Sequence, residues 1–478
     1  MMVLQAYRFE LDPSNAVGAA LASHAGAARY SFNWGLAEVE SRLAARRGLT
    51  ALAIRQGASL SEAESWAAGL VGPIPWSLPA LRREWNRAKD EVAPWWRENS
   101  KEAYSSGLDA LARAWRNYFD SVGGIRQGGR VGWPRPKRRR GGRRSFRVTT
   151  GSFGVVDARH VRLPRIGVIR TKEATTSLRD RLEAGTSRVL SATVSERGGR
   201  WWVSFTCEVE RTEPTPVQPL SVVGVDVGVS HLAVLSTGEM IPNTKPLSKY
   251  QRRMARLQRE CARRQGPAKG RRPSKRWQRS RSALARTHRK VAQTRIDGLH
   301  KLTTALATRH GIIVVEDLNV AGMTATARGS GHWRGKAGLN QAILDVAFGQ
   351  LRRQLAYKTI WYGSHLVAAD RWNPSSKTCS GCKAVKAKLP RTQRTFHCGH
   401  CGLVIDRDVN AAINLASLVE AEGTASGAGT GRNPVPANAQ GEERFMPTGR
   451  CSSTNCEDGT GPTRPDKTAT AAEQSTAA

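Results

Sequence analysis

The chain has 478 residues, with 75 Lys and Arg against 39 Asp and Glu and a formal net charge of +36. That length exceeds one compact domain at roughly 100–200 residues each, and the cation excess excludes an ordinary small-molecule enzyme and implies a polyanionic partner. With 39% hydrophobic residues and 14 Trp the chain buries real cores, which excludes a disordered basic tail protein. The longest uncharged stretches, 13–28 and 65–81, fall short of the ~20 apolar residues of a membrane span, and Pro73, Pro75 and Pro79 interrupt the second. Met1 to Tyr7, followed by Arg8, place no charged segment ahead of an apolar core, so neither a secretion signal nor a membrane contact is expected.

In chain order, residues 13–120 read as mostly helical, with Trp34, Trp66, Trp76, Trp85, Trp95, Trp96 and Trp115 as candidates for a core or for base stacking, most of them core. Between Arg126 and Arg147 stand ten Lys or Arg and no acid, among Gly and Pro and without periodicity, which predicts a loop that tracks phosphates. Val155, Val161, Val168, Val189, Leu190, Ala192 and Val194, then Gly198-Gly199 and Trp201 to Val209, predict a hairpin within a small β-barrel-like domain. From Ser221 the pattern becomes α/β. Strands are predicted at 222–228, His231–Ser236 and Glu239–Ile241, then two basic helices between Lys245 and Arg295, broken near Gly270 to Pro273. That block holds nineteen basic residues and one acid, Glu260, which favours nucleic-acid contact over a merely solvated face. A strand at 311–319, a helix at Leu339–Lys358, a strand at His365–Ala369, a cysteine-bearing insertion and a helix from near Asp408 complete the order βββαβαβα. From Gly423 onward the large apolar residues are Val435, Phe445 and Met446 alone, so 423–478 is expected to be a disordered tail in which Cys451 and Cys456 are incidental.

Asp226 interrupts an apolar strand, and an ionised carboxylate there is costly unless something positive meets it. It is therefore either a satisfied structural acid or a metal ligand. Glu316 closes a second apolar strand and Asp408 opens a late helix, so three carboxylates can meet at one point. Three hard oxygen ligands suit Mg²⁺ or Mn²⁺, and a pair of such ions about 3.5–4 Å apart can serve phosphodiester cleavage. Cys379-x-x-Cys382 and Cys398-x-x-Cys401, with fifteen residues between, have the spacing of a four-thiolate zinc ribbon. Four thiolates close the coordination shell, so that Zn²⁺ is expected to be structural, with His397 and His400 as bystanders. Cys207 and Cys261 lack a partner motif and are expected in cores.

At 224–228, 315–319, Tyr357-Lys358 through Thr378-Cys379, the ribbon and 406–412, the sequence resembles the TnpB (OrfB) proteins of bacterial insertion sequences. Weaker likeness extends to Arg29–Trp34 and Gly132–Lys137. The resemblance covers about residues 1–420. It implies an α/β multidomain protein: an RNase H-like (RuvC) nuclease domain with an inserted zinc ribbon, preceded by a helical recognition domain and a β-barrel-like wedge domain. The implied boundaries are 1–150 for an N-terminal wedge strand, helical recognition domain and basic linker, 151–215 for the wedge, and 216–376 for the nuclease with its basic helices. The ribbon takes 377–403, the end of the nuclease domain 404–422 and the tail 423–478.

The implied activity is RNA-guided cleavage of double-stranded target DNA with Mg²⁺ or Mn²⁺ on Asp226, Glu316 and Asp408, in the bacterial cytosol at the nucleoid. Base pairing with a guide RNA would supply sequence while the protein reads shape and a short flanking motif. Asp408 is chosen because it directly precedes Val-Asn-Ala-Ala, with Asp406 as the alternative. Lys383 stands where the family usually has Gly, a departure not expected to affect metal binding. Other readings are a cleavage-inactive guide-dependent DNA-binding regulator, which loss of an acid would favour, and a strand-joining transposase or accessory protein, for which no Tyr nucleophile motif is seen. A plain zinc-ribbon RNA-binding protein would leave the three acids unexplained.

Overall fold

The computed structural model describes residues 1–425 apart from 127, 140, 141, 143, 213, 269, 326–332 and 391. Its N-terminal half comprises β1 (Met2–Glu10), α1 (Asn15–Arg55), α2 (Leu60–Val71), α3 (Leu78–Val92), α4 (Lys101–Val122), β2 (Ser145–Val148), β3 (Gly154–Val155), β4 (His160–Leu163), β5 (Gly167–Arg170), α5 (Thr176–Glu183), β6 (Ser187–Arg197) and β7 (Arg200–Glu210). Ser14, Ser59, Ser77 and Ser100 each accept a backbone N–H at the start of α1 to α4, satisfying donors a helix cannot satisfy itself. Gly198 and Gly199, at φ 59° and 74°, make the two-residue turn that joins β6 to β7. β1 pairs along its whole length with β7, giving the antiparallel order β1-β7-β6-β2, and β3, β4 and β5 form a second sheet.

Helices and sheets share one core, in which Leu21, Leu36, Leu108 and Trp115 meet Phe146, Val194 and Phe205. Where α1 crosses α4, a Cβ on Gly107 would lie 2.1 Å from the Ala28 carbonyl, so that crossing requires glycine. Of the seven tryptophans expected mostly in the core, Trp85 and Trp115 are buried, Trp34, Trp76 and Trp96 are partly covered, and Trp66 and Trp95 are exposed. The described part of the basic stretch is irregular but anchored. Asn33 brackets the Lys137 backbone at 2.8 and 3.0 Å, and the Trp133 indole donates to Glu40 at 3.1 Å.

The second half contains β8 (Gln218–Asp226), β9 (His231–Leu235), β10 (Met240–Pro242), α6 (Pro246–Arg263), α7 (Lys275–Arg309), β11 (His310–Glu316), α8 (Val320–Met323), α9 (Trp333–Val346), α10 (Phe348–Tyr362), β12 (His365–Ala369), β13 (Thr395–His397), β14 (Val404–Asp406) and α11 (Arg407–Ala425). The expected single helix over 339–358 is broken at Ala347, whose φ is 59°. Val346 and Phe348 both bury in one cluster with Val227 and Leu318, which residues two apart on a continuous helix could not do. Helix α11 runs three residues past the expected boundary at 422, and the rest of the expected tail, with Cys451 and Cys456, lies outside the described residues. Among the described residues no helix is long and apolar enough to cross a membrane.

The strand order is β10-β9-β8-β11-β12, antiparallel from β10 to β8 and parallel from β8 to β12. Strand periodicity divides its faces. Val223, Val225, Ile313 and Val315 pack under α7 and α10, whereas Val222, Ile312 and Val314 pack with Leu415 of α11. Buried Lys358 of α10 ties down α7, donating to His300 O, Thr303 Oγ1 and Thr304 Oγ1 at 2.7–2.8 Å. On the α11 face, a Cβ at Gly224 would lie 1.9 Å from Ala412 O and 2.7 Å from Ala416 N. Gly224→Ala must therefore lift α11 from the sheet, at a cost of at least about 1–3 kcal/mol. A lowered urea midpoint at unchanged m-value checks this.

Candidate active site and metal centre

Asp226 and Glu316 end neighbouring parallel strands, one residue beyond the last paired positions Val225 and Val315. Both follow the even-numbered register of Val222, Gly224, Ile312 and Val314, so both side chains belong to the α11 face. On α11, Asp408 precedes Ala412 by four residues and Leu415 by seven, which sets it on the stripe that lies against the sheet. Asp406 does other work. Its Oδ1 accepts the backbone N–H groups of Asp408 and Val409 at 2.9 and 3.1 Å, capping the helix.

The electrostatics agree with that placement. Burial, then the charges of Glu316 and Asp408, push the Asp226 carboxyl up to about 7, with Arg407 opposing and Asp406 adding a smaller push. Ser375 Oγ donates to Glu316 Oε1 at 2.7 Å. Arg394 reaches Asp408 Oδ2 at 3.5 Å with one guanidinium nitrogen and Ser230 Oγ at 3.0 Å with another. Beside Glu316, Asp317 is bridged by Arg352 and by Arg371, the latter at 2.8 Å.

The four ribbon thiols gather with all sulfurs within 4.8 Å of one another, and Cys379–Cys401 and Cys382–Cys398 are each 3.6 Å apart. A tetrahedron with ~2.3 Å metal–sulfur bonds needs edges near 3.8 Å, so this cluster can hold a metal ion. Among the described residues it is the one His, Cys, Asp or Glu group drawn so close; the three carboxylates are spaced more widely. Backbone N–H groups of Cys401 and His400 point at Cys398 and draw its thiol down, whereas Cys382 in the same cluster, despite the Ala384 N–H that lowers it, is pushed up by burial and the neighbouring thiols. His397 and His400 are exposed and outside the cluster; Cys207 is fully buried, and Cys261 is partly covered. Lys383 has φ 63°, the left-handed conformation that glycine adopts freely, and Gly402 holds the same region in the second knuckle. The lysine Nζ bonds to Ser417 Oγ at 3.0 Å.

Asn410 and Asn414, buried on α11, dock the ribbon. Asn410 donates to Thr378 O and accepts from Ser380 N, and Asn414 donates to Ser375 O and Thr378 O, at 2.7–2.9 Å. Sequence reasoning did not assign Ser375, Arg394, Asn410 or Asn414. The four-residue spacing of the two asparagines on an apolar helix was the available signal.

With the geometry in view, comparison with known proteins gives a consistent placement. The OrfB family described as "Probable transposase" matches residues 204–327, and "Cas12f1-like, TNB domain" matches 348–415. A "Helix-turn-helix domain" description matches 1–48, where this chain has a strand followed by one uninterrupted helix. A Mycobacterium tuberculosis (strain ATCC 25618 / H37Rv) protein described as a "Putative RNA-guided DNA endonuclease" is 38% identical over 95% of this chain and 96% of its own length. The Escherichia coli (strain K12) "Putative RNA-guided DNA endonuclease InsQ" is 31% identical over 87% of this chain and 92% of its own. A solved structure titled "Cryo-EM structure of the Cas12f1-sgRNA-target DNA complex" aligns over 87% of this chain and 99% of its own, at 12% identity and a TM-score of 0.44. The chain belongs to the TnpB (OrfB) family of insertion-sequence proteins.

The raised Asp226 pKa has a consequence for stability. The folded chain retains a proton on Asp226 over a pH range in which an unfolded Asp, near 3.8, has lost it, so without divalent ions stability falls as pH rises from about 4 to about 7. Asp226→Asn removes that cost. Its melting temperature without divalent ions should exceed wild type by several degrees at pH 8, a gain that shrinks toward zero as pH falls to 4; calorimetry across that range checks the sign.

Proposed function

We propose that this chain is an RNA-guided DNA endonuclease of a transposable element, hydrolysing phosphodiester bonds of target DNA at Asp226, Glu316 and Asp408. The observation that carries the reading is the meeting of two strand ends and one helix start on the α11 face, where Glu316 and Asp408 act together on Asp226. Three antiparallel strands continued by two parallel ones, in the order β10-β9-β8-β11-β12, fit an RNase H-like (RuvC) nuclease domain. The sheets between β1 and β7 fit the wedge domain, and α1 to α4 the helical recognition domain.

Three carboxylate donors fit Mg²⁺ or Mn²⁺, which when bound would activate water and stabilise the leaving oxygen. Asp226, Glu316 and Asp408 would be its ligands. Ser375 fixes the Glu316 rotamer, and Arg394 steadies Asp408 from the ribbon side. Cys379, Cys382, Cys398 and Cys401 fit structural Zn²⁺, an all-thiolate set with no open position for chemistry. The anchored basic stretch and the α6–α7 hairpin offer cationic surface for guide RNA and the double-stranded target. Such a protein works in the bacterial cytosol, on the nucleoid.

The test is made on protein purified with its co-expressed RNA. Asp226→Ala should reduce cleavage of matched double-stranded DNA by roughly 10³-fold or more, with guide RNA and target binding retained. Loss of binding together with cleavage would make Asp226 structural, and unchanged cleavage would remove it from the site. Elemental analysis should find one zinc per wild-type chain and much less in Cys398→Ser, whose ribbon would also become sensitive to protease.

A further inference from the structure

Trp372 stands apart from the other aromatic residues of the chain. Its relative exposure is 84%, the highest of any Trp or Phe among the described residues. Scattered exposed apolar residues are ordinary, but this one sits on a constrained loop. The Trp372 backbone N–H is bound by Asp370 Oδ1 at 2.7 Å, Asn373 N–H reaches Asp370 O at 3.1 Å, and Ser375 N–H reaches Asn373 O at 2.9 Å. On one side of the indole, Arg371 bonds Asp317, the neighbour of Glu316; three residues beyond it, Ser375 bonds Glu316 itself. The loop therefore holds an open aromatic face beside the carboxylates by contacts that leave the ring unused.

The surrounding charge narrows the ligand. Arg352 and Arg371 share the single carboxylate of Asp317 and remain 47% and 45% exposed, so both guanidinium groups still face solvent beside the acids. A flat apolar face next to solvent-accessible guanidinium groups suits a base with its phosphates, which is how single-stranded nucleic acid is held without sequence preference. A base inside a duplex has no free face, so the strand must be unpaired where it meets Trp372.

We propose that Trp372 is a stacking platform for one unpaired base of the DNA strand being cut, with Arg352 and Arg371 holding its flanking phosphates. The inference rests on the nuclease reading above and extends it by naming the state of the substrate at the site. A stacked base fixes the scissile phosphate relative to Glu316 at a defined number of nucleotides from the indole. The platform acts on any base, because each has a π face.

The experiment combines cleavage with a signal that does not need it. RNA-loaded wild type, Trp372→Ala and Trp372→Phe are compared in single-turnover cleavage on matched DNA carrying abasic sites one at a time near the cut. Cleavage-dead Asp226→Ala, alone and combined with Trp372→Ala, is then titrated with single-stranded DNA bearing 2-aminopurine at the same positions. Trp372→Ala should slow cleavage roughly ten- to a hundredfold, with Trp372→Phe recovering most of the rate. One abasic position should slow wild type and have no further effect on Trp372→Ala. At that position 2-aminopurine should be quenched by Asp226→Ala and not by the double variant. Wild-type rates in Trp372→Ala, equal sensitivity of both proteins to every abasic site, or quenching that survives loss of the indole would each overturn the proposal. Wild-type protein that binds and quenches but cuts nothing would instead count against the nuclease reading while upholding the stacking.

Discussion

The approach of one helix to one strand governs the architecture of the second half. Helix α11 rests on β8 at Gly224 so closely that a single methyl group there would overlap the Ala412 carbonyl. The small residues Ala411, Ala412 and Ala416 on the helix and the missing side chain on the strand are what permit it. Two residues along the same strand face lies Asp226, and four residues back along the same helix lies Asp408. The contact that buries the sheet is thus also the contact that assembles the acids, and mutual repulsion of those acids works against it. Burial first, and then that repulsion, raise the Asp226 pKa, and a divalent cation bound there would relieve both.

The ribbon is part of the same construction. Its first knuckle is fastened to α11 by Asn410 and Asn414, and the loop that leads into it carries Ser375, which holds Glu316. Its second half supplies Arg394 to Asp408. A metal held by the four thiols would therefore act on the acidic cluster at a distance, by fixing the backbone around which the bonds of Asn410, Asn414, Ser375 and Arg394 are made. Loosening it would disturb Glu316 and Asp408 together.

Much of this was legible in the sequence because the chemistry is local. Asp226 and Glu316 each close an apolar strand, and the paired Cys-x-x-Cys units declare their purpose by spacing. The Gly198-Gly199 turn announced its hairpin for the same reason. Two kinds of feature were less legible. The break at Ala347 lies beside the weak helix formers Val346, Phe348 and Gly349, a modest local signal, and it lets Val346 and Phe348 bury in one cluster, a tertiary demand that local propensity does not specify. The left-handed backbone at Lys383 is not declared by the lysine, which seldom adopts that conformation; the glycine usual there in the family was the available signal. Ser375 and Arg394 are ordinary polar residues until the fold brings them beside Glu316 and Asp408.

In the proposed reading the charge of the chain and the acidity of the site form one electrostatic scheme: a cationic framework would gather a polyanion, and a small acidic pocket within it would admit divalent ions. The most direct test of that pocket is crystallography on crystals soaked in Mn²⁺, with data collected at the manganese absorption edge. The account predicts anomalous density enclosed by the carboxylates of Asp226, Glu316 and Asp408, distinct from the ribbon metal. Manganese bound elsewhere, with those three carboxylates left vacant at saturating concentration, would contradict it.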